Sequence, residues 1–372
     1  MDRQHAFHPK EWRYAVAAMA LAAVLALAGC SAGESNDESS NSNDSAATEQ
    51  VDPNGTHVVT DAYGTDVEIP NTVNSIVVPF PAATQTVLGL GGADKLTGGF
   101  ILPTDMNKIM FGDYMDKIVK MTPKSVNAEA ILSCDPDFMI YPSSRENLND
   151  DIKATNVPTL CYKVNTLEDM KSDTTMIGEA LGGDAIDKAK QYSEFCDKLS
   201  DDVSAMTKDI PDADKPVVYV SVRSDCVTTH GKDTLADSWI SISGGKNAAT
   251  EMGIESMDQT VTAEEIQKVD PDIVICTTRE AYDTFKSDPQ YAGLKAVKND
   301  KVYLNPLGGS VWFKAHFEAP LQMAWAPTVI QPDICKNLDT RSYVNEFFKT
   351  FYGYDVTDAD FQTIMNPSEG SE

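Results

Sequence analysis

Three arginines stand where a ligand would be met. Each follows a stretch that reads as a β-strand: Arg145 beyond residues 138–141, Arg223 after 217–222, and Arg279 after 273–277. Past residue 30 the chain has only four arginines, the fourth being Arg341, so this placement takes up most of them. In open α/β sheets ligands bind beyond the carboxyl ends of the strands. A guanidinium there can hold a carboxylate or phosphate through two parallel N–H bonds, which points to an anionic ligand. The alternative is a solvated bridge from each arginine to one of the abundant carboxylates.

Phe80, Pro81, Phe100, Tyr141 and Trp312 fall near the same strand ends and could form the apolar walls of a cleft, or equally pack in the core. His230 follows the first strand of the second half, and His316 lies near Trp312; either could reach a cleft, whereas His57 opens a strand and reads as structural. No His/Cys/Asp/Glu spacing suggests a bare metal site, so no metal and no cofactor is expected. A G-x-S-x-G elbow and a zincin motif are both missing, which leaves a surface α/β hydrolase as a weak alternative. The cluster Gly89-Leu90-Gly91-Gly92 ends a helix instead of following a strand, with Asp94 at the third glycine position, so it is not a dinucleotide fingerprint. Met106, Met110, Met115 and Met121 could line an adaptable rim or fill gaps in the core.

The elements that must position these residues come in two copies. Residues 125–141 (SVNAEAILSCDPDFMIY) and 260–276 (TVTAEEIQKVDPDIVIC) match at eight of seventeen positions, 135 residues apart. Each reads as a helix, an Asp-Pro-Asp turn and a buried strand. Between them, residues 184–210 carry an apolar stripe at Tyr192, Phe195, Leu199, Val203, Met206 and Ile210, with charge on the other face. Gly182-Gly183 precede this helix, Asp184 could cap it, and Pro211 follows it. Strands alternating with helices predict parallel sheets. The expected fold is therefore α/β, with an N-terminal lobe over 57–183, an inter-lobe helix over 184–210, a C-terminal lobe over 211–366 and a tail over 367–372.

The formal charge of −27 over 372 residues lacks the Lys/Arg surplus that a nucleic-acid or anionic-membrane face needs. Residues 1–30 read as a targeting segment: Arg3, Lys10 and Arg13 precede an apolar run that ends Leu27-Ala28-Gly29-Cys30. That ending resembles a bacterial lipobox, which implies cleavage before Cys30 and diacylation of its thiol, enough to anchor a protein stably. Residues 31–56, rich in Ser, Asn, Asp and Glu, read as a polar tether spanning roughly 25–30 Å. The six other cysteines (Cys134, Cys161, Cys196, Cys226, Cys276 and Cys335) are expected to be mostly unpaired buried thiols.

In the order VTDAYGTDVEIP, LGLGGADKLTGGF, AEAILSCDPDFMIY, ISGGKNAATEMG, VTAEEIQKVDPDIVIC and KVYLNPLG, residues 57–352 resemble the substrate-binding lipoproteins of bacterial ABC importers that handle ferric siderophores, haem and cobalamin. The resemblance implies a rigid helix between two lobes, a shallow cleft that closes only slightly, and docking onto a membrane permease driven by a cytoplasmic ATPase. It implies a metal-chelate ligand, with a free metal ion or oxyanion as the alternative, and a monomer is the expected unit. That group usually has a docking glutamate on the first helix of each lobe. Here Gln85 stands at the first position, and Asp237-Ser238 lie near the second.

Overall fold

The structure is a computed structural model and describes residues 52–163 and 165–368. The signal segment with Cys30, the tether as far as Val51 and the last four residues of the tail lie outside the described residues. From Asp52 the chain is already bonded: its carbonyl accepts from Gly55 N and Asn71 Nδ2. A hairpin of β1 (Thr56–Thr60) and β2 (Asp66–Pro70) opens the fold. It is held against a later helix by His57, whose ring contacts Asn71 Oδ1 and the Glu179 carbonyl.

The first sheet contains β3 (Ile76–Val78), β4 (Leu96–Gly99), β5 (Val119–Lys120), β6 (Phe138–Tyr141) and β7 (Thr159–Cys161), all parallel, in the order β5-β4-β3-β6-β7. The second contains β8 (Val217–Ser221), β10 (Lys246–Asn247), β12 (Ile273–Cys276) and β13 (Val302–Leu304), again parallel, in the order β10-β8-β12-β13. A short antiparallel pair, β9 (Thr228–Thr229) and β11 (Gln259–Thr260), stands beside it. The helices that follow strands in the first lobe are α1 (Pro81–Gly89), α2 (Asp105–Met115), α3 (Ala128–Ser133), α4 (Asp150–Thr155) and α5 (Leu167–Leu181). Next comes α6 (Asp184–Thr207), and then α7 (Leu235–Ile242), α8 (Ala248–Glu251), α9 (Ala263–Val269), α10 (Arg279–Ser287), α11 (Lys295–Lys298), α12 (Pro320–Ile330), α13 (Thr340–Phe347) and α14 (Asp358–Met365).

The copied segments occupy the same place in each sheet, as α3–β6 and α9–β12. Asn127 and Thr262 cap the two helices by accepting the backbone N–H three residues on. Asp135 and Asp270, the first aspartates of the two turns, both take positive φ, 44° and 48°. A helix can end there because a short polar side chain tolerates the left-handed region. The second aspartate of each turn anchors the neighbouring strand: Asp137 accepts from Asn74 N and Ser75 N, and Asp272 from Val217 N. The Asp-Pro-Asp repeat is thus a helix stop joined to a strand clip.

Helix α6, about 36 Å long at 1.5 Å per residue, joins the lobes through its buried face. Ala185 and Ala189 pack in the core of the first sheet, with Ile76, Phe138 and Leu160. Tyr192, Phe195, Leu199 and Val203 pack in the core of the second, with Val218, Trp239 and Ile275. Tyr192 stacks on Phe317 at 4.6 Å between ring centroids. The N-cap is Gly183 at φ 57° with no side-chain cap; Asp184, expected to cap, is instead the first helical residue. All six cysteines of the described residues are free, and Met106 and Met121 are core residues.

A buried polar network also crosses between the lobes. From the first, Asn107 Nδ2 donates to Gln85 Oε1 (3.1 Å) and to the Gly309 carbonyl (2.6 Å), while Gln85 Nε2 donates to Tyr352 Oη (2.9 Å). In the second, Glu318 accepts from Tyr352 Oη–H (2.9 Å), Gly309 N (3.0 Å) and Trp312 Nε1 (3.0 Å). Only glycine fits at 309, since a Cβ there would lie 2.6 Å from Asn107 Oδ1 and 2.8 Å from Glu318 Oε1. Tyr352→Phe should strip one donor from Glu318 and leave Gln85 short of an acceptor. The expected loss is about 1–3 kcal/mol in a urea unfolding curve, and an unchanged midpoint would contradict this role.

Candidate functional site

Phe80, Pro81, Phe100 and Tyr141 are all half-buried at the carboxyl ends of first-lobe strands. Phe80 and Pro81 open α1, where Thr84 Oγ1 donates to the Val78 and Phe80 carbonyls and fixes the bend from β3 into the helix. Phe80 also meets Tyr162 edge to face at 6.1 Å.

In the second lobe two of the expected residues come together. Arg223 Nη2 lies 3.3 Å from Asp258 Oδ1, and His230 Nε2 lies 3.4 Å from the same oxygen. Burial pushes the His230 pKa down, outweighing the upward pull of Asp258, so the ring stays neutral. Lys314 joins this group and was not expected. Burial pushes its pKa down too, with Asp258 raising it and Arg223 lowering it. Its ammonium lies over the Phe313 ring at 5.0 Å, and among the described residues no carboxylate is within ion-pair distance of it. Two cations and a neutral imidazole therefore share one carboxylate, which leaves a local positive excess in an acidic protein. A signal for Lys314 was present in the sequence: it is the lone charge in the run Val311-Trp312-Phe313-Lys314-Ala315-His316-Phe317.

The other expected site residues lie elsewhere. Trp312 is fully buried with its indole N–H on Glu318, so it is a core residue and not an open wall. Arg145 donates to the Thr159 carbonyl (2.8 Å) and lies 3.9 Å from Asp61, bracing the edge strand β7. Arg279 donates to the Pro367 carbonyl (2.9 Å) and covers the Tyr282 ring, which ties it to the chain's own C-terminal segment. Gln85, at the expected docking position, is buried in the inter-lobe network. Asp237 accepts from Asn247 Nδ2 and Thr250 Oγ1 and braces α7 against β10 and α8.

The periplasmic binding protein model matches residues 76–306, from the first strand of the first sheet to just past the last strand of the second. The chain belongs to the periplasmic binding protein family. It is 27% identical, over 77% of its length and 87% of the relative's, to an uncharacterized ABC transporter substrate-binding lipoprotein, YvrC, of Bacillus subtilis. It is 26% identical, over 78% and 88%, to the Fe(3+)-citrate-binding protein YfmC of the same organism. A solved periplasmic solute binding protein from Veillonella parvula superposes with a TM-score of 0.71 at 27% identity, covering 85% of this chain and 98% of that one. As a periplasmic binding protein it is a solute-binding component of an ABC transporter and not an enzyme, which removes the hydrolase alternative.

Two buried acids near the lobe junction give this binding protein a pH signature. Burial raises the Glu318 pKa to about 7, opposed by its donors, and the Asp173 pKa to about 8, opposed by the Lys163 N–H. Because the folded-state values lie above the unfolded ones, the native state holds the extra protons. Their contribution is fully present below the unfolded carboxylate values, falls as the pH rises from there to the folded values, and levels off above them. Between about pH 5 and 6, above the unfolded carboxylate values and below both folded ones, the unfolding free energy should fall by about 1.4 kcal/mol per unit for each such group, and Asp173→Asn should flatten the slope. A slope of the same size in the variant would contradict the assignment.

Proposed function

We propose that this protein captures an anionic metal chelate between its lobes and delivers it to a permease driven by an ATPase. The observation that carries this reading is the Lys314 ammonium, drawn into the protein beside Arg223 with only Asp258 to share. Withdrawing a cation from water without a partner costs several kcal/mol, a cost that an anionic solute would offset by completing the group. His230 offers a neutral ring to the same solute, and Phe80, Pro81, Phe100 and Tyr141 supply the apolar side across the gap. Iron(III) citrate has this chemistry, and the similarity to a protein named for binding it supports the choice. Arg145 and Arg279 are left out, because their N–H groups already meet carbonyls of the chain.

In calorimetric titration with ferric citrate, Lys314→Met and Arg223→Met should each weaken binding about tenfold or more, and added salt should weaken it further. Tighter binding of haem or cobalamin, indifferent to both substitutions, would contradict the reading. We also place the protein outside the cytoplasm, held to the membrane by acyl chains on Cys30. Cys30→Ala should move it from the membrane fraction to the soluble fraction, and retention of the variant in the membrane would rule the anchor out.

A further inference from the structure

A small half-open crevice, with about 20 Å³ of room for water-sized groups, lies between α1, α5 and the segment carrying Ala315, His316 and Phe317. Its polar groups do not complete one another. Asp173, on the first half of α5, is 6% exposed, and among the described residues no Lys, Arg or His side chain is within ion-pair distance of it. Among the described residues its carboxyl accepts a long bond from the Lys163 N–H, 3.4 Å. His316 is 9% exposed, and its Nδ1 is buried with no hydrogen-bond partner among the described residues. Tyr162, Phe317 and Met170 give the crevice aromatic and thioether surface. Lys163 also lines it, but the Lys163 ammonium lies over the Tyr63 ring at 5.1 Å.

The Asp173 carboxylate and, in the tautomer with its proton on Nε2, His316 Nδ1 are acceptors that need donors, and beside aromatic rings that favour positive charge they suit a cation carrying N–H groups. The dimensions admit one small group and not a whole chelate. We propose that this crevice is a subsite for an ammonium group, taking two N–H donors at the Asp173 carboxylate and His316 Nδ1. His316 is two residues from Lys314, so the subsite and the cationic cluster share one segment. That the ammonium and the anionic part belong to the same solute rests on the function proposed above; that the crevice binds an ammonium does not.

The groups facing Asp173 are Asp169 on its own helix, Lys163 and Tyr162 past β7, Tyr63 in the β1–β2 turn and His316. With its carboxyl protonated up to about pH 8, binding a cation releases one proton from Asp173. The test uses the full chain, labelled at methionine methyls and titrated with propylammonium, with propanol and tetramethylammonium as controls. The expected result is a saturable shift of the Met170 methyl with propylammonium alone. The affinity should tighten about tenfold from pH 6 to 7 and weaken about tenfold or more in Asp173→Asn. No saturation, an equal response to propanol, or full binding by a folded Asp173→Asn protein overturns the proposal. Should that variant not fold, an affinity independent of pH in the native chain overturns it as well. Arg223→Met separates the two readings: it should weaken ferric citrate binding while leaving the propylammonium titration unchanged, because Arg223 is not among the groups that act on Asp173 or His316.

Discussion

A fully buried carboxylate holds this molecule together. Glu318 takes its hydrogen bonds from a backbone N–H, an indole and a phenol, and the phenol in turn accepts from an amide in the other lobe. A buried acid is costly unless its oxygens are satisfied, so the geometry that satisfies Glu318 also fixes where Gln85 and Asn107 stand. The lobes are thus joined by more than the covalent path through α6. They share a polar lock whose parts come from residues 85 and 107 on one side and 309, 318 and 352 on the other.

That lock sets the position of the binding groups. The segment between β13 and α12 is pinned at Gly309 and at Glu318, and Lys314 and His316 lie on the span between these anchors. A short span fixed at both ends, with Trp312, Phe313 and Phe317 packed in the core, has little freedom to carry its cation to solvent. Helix α6 gives the same result from the opposite direction, because its first turns belong to one core and its remaining turns to the other. Lobes built this way hold a solute by complementary charge on a preformed frame, and large closure is not required of them.

The features legible in the sequence were those with local causes. The Asp-Pro-Asp turns could be read because the helix stop is local, whereas the strand that each second aspartate clips lies 55 to 63 residues back and carries no signal in the turn itself. The long helix could be read because its stripe follows the 3.6-residue period. The parallel lobes followed from alternating strands and helices. What a polar residue meets across the fold could not be read. Arg279 finds the Pro367 carbonyl 88 residues on, and Gln85 finds Tyr352 267 residues on. Trp312 stood at the expected strand end, yet Glu318 draws its indole inward. Arg223 and His230 are each legible beyond a strand, but Asp258, the carboxylate that makes them one cluster, lies in a loop with no pattern of its own.

The central claim is that both lobes belong to one cooperative structure joined by the buried lock, and native-state hydrogen exchange tests it most directly. The slowest amides of β3 and β6 and those of β8 and β12 should open with the same free energy, equal to that of global unfolding. If the first sheet opened on its own, at a distinctly lower free energy than the second, the lock would not join the lobes, and the account of how the cationic segment is held would fail with it.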